Sequence, residues 1–300
     1  MEADGKCTEE RLMSTKFMLA EPVKEYETIS VTPCTPHVGA EIGHIDLTKP
    51  LSDRQISEVR RALVEHCVVF FRNQPLDFAA HTRFAGYFGE LAIHVGGDGT
   101  ASQIIPGHPE IRAQHFDRNS RRVSGEAWHT DQSCAPIPPM GSILLQRVVP
   151  PNGGGDTMFA SMYAAYDALT DRMKHFLEGL TAFHDGANAY DRGATTVYPT
   201  ANHPVIAKHP ETGRKLIYVN RALTIRINEL PPDESRGILN LLFEHCAQPH
   251  WQMRFRWEPD SIAFWDNRCA HHYAIWDYWP NVRSGYRVLV AGTDPYLIPA

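Results

Sequence analysis

From Ile29 onward the chain is built of short apolar pieces separated by Pro, Gly and Asp, as in Ile29-Ser30-Val31 and Ala40-Glu41-Ile42. Strand side chains alternate between two faces, so such pieces read as short strands. Ser52 followed by Gln55 forms a capping box, and Ile56, Val59, Leu63 and His66 recur behind it at helical spacing. The continuous apolar run Cys67-Val68-Val69-Phe70-Phe71 predicts a buried strand. Asp77 opens a second helix through Phe84 and Tyr87, which Gly89 stops.

Residues 96–125 are rich in Gly and polar side chains with little periodicity, which predicts a long loop of the lid or binding type. Ser142 to Val148 reads as a strand, ended by the turn Pro150-Pro151-Asn152-Gly153-Gly154-Gly155-Asp156. Helices follow over 162–169 and, capped by Thr170, over 171–180. A second irregular stretch covers 184–204, again a lid candidate. Pro231-Pro232-Asp233 starts a helix through Leu239, Leu242 and Phe243. Trp251, Met253, Phe255 and Trp257 alternate with polar residues as a half-buried strand does, and 261–265 and 286–291 supply the last two strands. Many short strands with few helices imply a mainly β, α+β chain: a β-sandwich or jelly roll with helices outside. No repeat or linker divides residues 26–300, which read as one domain behind a mobile N-terminal arm over 1–25.

Composition narrows the function. Hydrophobic residues at 43% and charged residues at 21% are ordinary for a soluble globular chain. A net charge of −6 without a basic cluster argues against nucleic acid as a partner. No stretch reaches the length of a membrane span, and Met1 to Lys16 has no apolar core of a signal peptide. The six cysteines are scattered without a CxxC pair, as expected of reduced thiols, so the default location is cytoplasmic. Trp276, Tyr278 and Trp279 form an aromatic group that would suit either a homo-oligomer interface or packing over one end of the fold.

Candidate chemistry centres on His129-Thr130-Asp131. In an extended segment residues i and i+2 share a face, so one imidazole and one carboxylate can grip one ion together. A second imidazole must come from far away, and Trp265-Asp266-Asn267-Arg268-Cys269-Ala270-His271-His272-Tyr273 offers His271 or His272. Two His and one carboxylate on one face of a metal leave the opposite face open, which suits non-haem Fe(II) and O2 chemistry. Thr157 carries a hydroxyl that can donate to a carboxylate. Arg283 and Arg287 follow His272 by eleven and fifteen positions, and guanidinium forks grip carboxylates through paired hydrogen bonds. Each residue alone has a bland alternative: a surface ion pair, a core histidine or a turn cap.

Trp128-His129-Thr130-Asp131, Gly154-Gly155-Asp156-Thr157, His209-Pro210-Glu211-Thr212-Gly213, Tyr218-Val219-Asn220 and Trp265-Asp266-Asn267-Arg268 through His272 resemble, in this order, the taurine dioxygenase (TauD/TfdA) family. The resemblance runs from about Ile29 to Tyr296. It implies a double-stranded β-helix (jelly roll, cupin-like) and an Fe(II)- and 2-oxoglutarate-dependent dioxygenase that releases succinate and CO2. It makes His129, Asp131 and His272 the iron ligands, chooses the second His of the pair, and gives Thr157 and Arg283 to 2-oxoglutarate. Arg287 and His94 match positions facing the substrate anion, with Gln132 and Tyr190 completing the expected substrate contacts.

Departures bear on the substrate. Gly97, Gly125 and Ala189-Tyr190 stand where taurine dioxygenase has a Tyr, an Asn and a Ser-Phe pair. The anion-binding positions persist while those around the taurine amine are replaced, which implies another small anionic substrate: a sulfonate, sulfate ester or carboxylate. Two readings compete, a zinc hydrolase on the same donors and a non-catalytic jelly-roll binding protein.

Overall fold

The computed structural model describes residues 25–93, 102–123, 125–189, 198–294 and 297–300. Its first half comprises β1 (Ser30–Pro33), β2 (Ala40–Gly43), α1 (Asp53–His66), β3 (Val68–Phe71), α2 (Phe78–Gly86), β4 (Leu91–Ala92), β5 (Ser102–Ile105), β6 (His108–Phe116) and β7 (Gly141–Val148). Next come β8 (Thr157–Ser161), α3 (Met162–Asp167), α4 (Asp171–Leu177), β9 (Thr181–Asp185), β10 (Thr200–Pro204), β11 (Ile206–Lys208), β12 (Lys215–Ile217) and β13 (Thr224–Ile227). The last are α5 (Pro232–Cys246), β14 (Gln252–Phe255), β15 (Ser261–Asp266), β16 (Ala270–Ala274), β17 (Arg283–Val290) and β18 (Ile298–Pro299). The chain is mostly β with few helices.

A nine-stranded sheet runs β1-β2-β3-β15-β7-β17-β6-β5, with β4 paired to β17. One face is covered by α1 and α2, whose Val59, Leu63 and Phe84 pack with Phe71, Phe264 and Val288. The other face meets the three-stranded sheet β14-β8-β16. There the Phe159 ring of β8 lies 5.6 Å from Phe70 and 5.7 Å from Trp265 between centroids. Layers on both sides explain why β3 and β15 are buried along their whole length, as continuous apolar strands demand. The capping box of α1 forms as read, Ser52 and Gln55 each satisfying the other's backbone N–H.

Two of the expected loops contain strands. Within 96–125, β5 and β6 form a hairpin turning at Pro106-Gly107, where Gly107 has φ +82°. β6 pairs with β17 from Phe116↔Arg283 to Ile111↔Val288. Its polar residues Glu110, Arg112, Gln114 and His115 hide the alternation that marks a half-buried strand, and backbone pairing supplies the order instead. Within 184–204, β10 pairs antiparallel along the whole of β9, from Thr200↔Asp185 to Pro204↔Thr181. Of the C-terminal aromatics, Tyr278 is buried (1% exposed) whereas Trp279 is 61% exposed, so only part of that group is a surface feature. The expected arm over 1–25 lies outside the described residues except for Glu25. Among the described residues no helix is long and apolar enough to cross a membrane.

Candidate active site

His129 lies outside any regular strand. It forms an isolated antiparallel bridge with His272 of β16, each backbone N–H donating to the other's carbonyl at 3.1 and 2.8 Å. Directly opposed antiparallel residues share a face, so the rings stand side by side, 4.0 Å between centroids. Asp131 then turns back toward them. Its Oδ1 is 4.0 Å from His129 Nε2 and 3.9 Å from His272 Nε2. Those gaps are within about twice a metal–donor bond of ~2.1 Å, so one ion can touch all three donors.

β16 also separates the two adjacent histidines. His272 pairs with Phe159 and Ala274 with Thr157 on β8, so these four share the inner face. His271 occupies the alternate face, and its Nε2 is buried without a partner among the described residues. The His129-x-Asp131 pair thus meets as expected, through a bridge and a turn rather than a continuous strand.

Electrostatics prepare these groups for a cation. Burial holds both imidazoles below the ordinary His range, so they are neutral lone-pair donors. His129 Nδ1 lies 2.7 Å from the Ala127 carbonyl, which can only accept, so Nδ1 carries the proton and Nε2 is left basic. Burial raises the Asp131 carboxyl, but Arg287 and the two histidines outweigh it and hold the acid ionised. Arg287 Nη1 donates to Asp131 Oδ1 at 3.0 Å, while its Nε is buried without a partner among the described residues. Asp131 Oδ2 accepts from Ser142 Oγ at 2.6 Å. Trp265, 4.8 Å from His272 between ring centroids, supplies an apolar wall.

Beyond Asp131 the same face of β17 carries Arg283, four residues before Arg287. Arg283 is 4% exposed, and burial pulls its guanidinium below its ordinary value. Its Nε donates to the Gly155 carbonyl at 3.0 Å, and no carboxylate among the described residues lies within ion-pair distance. Nearby Asp156 is engaged by Arg254 at 2.6 Å. A Cβ at Gly155, which has φ +83°, would press to 3.0 Å from Arg283 Cδ, so glycine answers both the turn and the close approach. Thr157 Oγ1 accepts from Trp257 Nε1 at 3.0 Å, which leaves the hydroxyl proton to donate elsewhere. Trp257, read from sequence only as a strand residue, thereby joins the site; its ring centre is 5.6 Å from the Arg283 guanidinium carbon. A buried cation and a free hydroxyl proton fit the carboxylate of a diacid. Two neutral imidazoles and an ionised carboxylate fit a ferrous ion.

His94 and Tyr190 lie outside the described residues. Gln132 is buried in the left-handed region at φ 53°, with Nε2 lacking a partner among the described residues. Two other sequence motifs act as buttresses. Asn220 donates to Ser133 Oγ at 2.9 Å, bracing the segment after Asp131. His209, Asp266 and Cys269 form a second buried group with metal-ligand chemistry. Asp266 there is already taken by His209 Nε2 at 3.1 Å and by a two-point grip from Arg268 at 2.9 and 2.7 Å.

A family model described as taurine catabolism dioxygenase TauD, TfdA family matches residues 30–290. The chain belongs to the TauD/TfdA family. An alpha-ketoglutarate-dependent sulfonate dioxygenase of Saccharomyces cerevisiae is 34% identical over 288 residues, 89% of this chain and 68% of the relative. An alkylsulfatase of Acinetobacter baylyi is 32% identical, covering 86% of this chain and 83% of its own. The crystal structure of a taurine dioxygenase from Burkholderia xenovorans superposes with a TM-score of 0.78 at 33% identity, covering 89% and 92% of the two chains. This TauD/TfdA protein is therefore an Fe(II)- and 2-oxoglutarate-dependent dioxygenase.

Proposed function

We propose that this TauD/TfdA dioxygenase hydroxylates a C–H bond of a small anionic substrate, a sulfonate, sulfate ester or carboxylate, at a site held by a double-stranded β-helix. One domain over 26–300 carries it, since the large sheet draws strands from β1 to β17. His129, Asp131 and His272 would hold the iron; Arg283 and Thr157 would take the distal carboxylate of 2-oxoglutarate. Arg287, with Gln132 and His94, would face the substrate anion, and Tyr190 would line the pocket. The observation that carries this reading is the buried Arg283 cation without a carboxylate partner among the described residues, on one sheet face with the Asp131 contact Arg287.

When bound, Fe(II) and 2-oxoglutarate divide O2 between succinate, formed with loss of CO2, and the hydroxyl placed on the substrate. The chain's own groups do the positioning. Thr157 donates its proton while Trp257 fixes its oxygen, and Arg283 supplies the matching charge in a site too dry to screen it. Arg287 gives one N–H to Asp131 and keeps Nε for an oxyanion. Trp265 and Phe159 back His272 and exclude water. Hydroxylation next to sulfur or oxygen would fragment the product. Gly125 stands where taurine dioxygenase has an Asn, and a Cβ there would lie 3.0 Å from His129 Cε1 and 3.5 Å from Nε2, so no such side chain reaches the substrate from this position, which favours a substrate other than taurine.

Related proteins support the substrate class. Those named above act, by their descriptions, on sulfonates and sulfate esters, and a 2,4-dichlorophenoxyacetate dioxygenase of Cupriavidus pinatubonensis is 31% identical over 82% of this chain. The test is oxygen uptake and succinate release across sulfonates, alkyl sulfates and aryloxyalkanoates, with anaerobic absorption of the Fe(II) plus 2-oxoglutarate protein. A visible charge-transfer band and uptake stimulated by one class are expected. Turnover surviving both His129→Ala and Asp131→Ala, or zinc-dependent hydrolysis, overturns the proposal.

A further inference from the structure

We infer that Ser142 and Asn267 are positioning residues that keep Asp131 one-sided: Oδ2 is tied to Ser142 and turned from the imidazoles, while Oδ1, which accepts one N–H from Arg287 at 3.0 Å, is the oxygen offered to the metal. The inference rests on the reading of Asp131 as a metal ligand.

The hydrogen bonds leave one direction of donation. Asp131 N–H points at Asn267 Oδ1, 3.3 Å away, so the amide oxygen faces that donor and the NH2 group faces the other way. Asn267 Nδ2 donates to Ser142 Oγ at 3.0 Å. Ser142 has a single proton, and with Asn267 already donating to its oxygen that proton goes to Asp131 Oδ2, at 2.6 Å. Thr130 completes the frame: its hydroxyl donates to the Asn267 carbonyl at 2.6 Å. Asn267 N–H is itself anchored on the Met140 carbonyl at 2.9 Å. Thr130, Ser142 and Asn267 are each at most 1% exposed, so water does not compete for these partners.

Three distant pieces of chain are locked together in this way: the ligand segment, the start of β7, and the turn that leads into β16 and His272. A carboxylate with both oxygens free can occupy two positions on a metal. A site that must also accept a chelating diacid and O2 cannot spare the second. Fixing Oδ2 keeps the open face open, and the partners of a ligating carboxylate commonly change metal affinity by ~10–100-fold.

The experiment uses Mn(II) as probe, following affinity by electron paramagnetic resonance and bound water by proton relaxation, with thermal unfolding of each metal-free variant as the folding control. Ser142→Ala is expected to weaken Mn(II) at least ~10-fold and to lower the number of metal-bound waters, with Ser142→Thr restoring both. If Ser142→Ala does not fold, Asn267→Ala decides, since it removes the donor that orients the serine proton. Wild-type affinity and hydration in the folded variant overturn the inference. Asp131→Ala is the separate control: undiminished Mn(II) binding there sinks the ligand assignment itself, whereas its loss beside an unaffected Ser142→Ala sinks only the positioning role.

Discussion

Trp257 and Thr157, a hundred residues apart, are joined by an indole N–H donating to the threonine hydroxyl at 3.0 Å. This bond consumes an acceptor site on Thr157 and turns its proton outward. Trp257→Phe keeps the ring over Arg283 and removes only the donor. A neutral hydrogen bond contributes ~0.5–1.5 kcal/mol net, so the KM for 2-oxoglutarate should rise about 2–10-fold with kcat and the substrate KM little changed. Steady-state kinetics with each reactant varied in turn check this; a fall in kcat alone would count against it.

Arg283 is buried without a carboxylate partner among the described residues, and an uncompensated buried charge is costly. Arg283→Gln should therefore leave the metal-free protein as stable as before, or more so, while abolishing its stabilisation by 2-oxoglutarate. Melting temperatures with and without the diacid measure both effects. A large loss of stability without ligand would show that Arg283 serves the fold instead.

Arg287→Lys keeps the charge but loses the planar fork. Bonds to charged groups contribute ~1.5–3 kcal/mol, so the KM for an anionic substrate should rise roughly 10–100-fold. Binding of 2-oxoglutarate, measured by calorimetry, should hold. An equal loss of both would merge the two arginine roles.

His81 on α2 is fully buried, and burial pushes its imidazole down to about 4 from an ordinary 6.5. Above pH 6.5 neither folded nor unfolded chain carries the proton. Between 6.5 and about 4 the unfolded chain takes it first, so stability falls as the pH drops through that window. His81→Gln should flatten the fall by up to ~1.4 kcal/mol per pH unit, read from urea unfolding at pH 7.5, 6.0 and 5.0. An unchanged slope would assign the acid sensitivity to other groups.

Much of the site was legible because its chemistry is written in short spacings. His129 and Asp131 are two apart, and Thr157 follows a glycine turn; Arg283, outside the strand read over 286–291, shares a face with Arg287 because β17 begins at Arg283. The capping box of α1 and the apolar run of β3 were readable from equally short spacings. β6 was not, since its polar side chains carry no alternation and its order comes from pairing with β17.

By itself the sequence determined the inventory: two imidazole sources, one carboxylate, one hydroxyl and two guanidinium groups, in an order belonging to one family. Only the tertiary structure decided their phase and their neighbours. Pairing of β16 with β8 turns His272 inward and His271 away, a choice that adjacency along the chain leaves open. The contacts of Trp257 with Thr157, Ser142 with Asp131 and Arg287 with Asp131 join side chains from separate strands and turns. Such contacts depend on sheet register, and register is set by the summed packing of every strand, which no local stretch encodes.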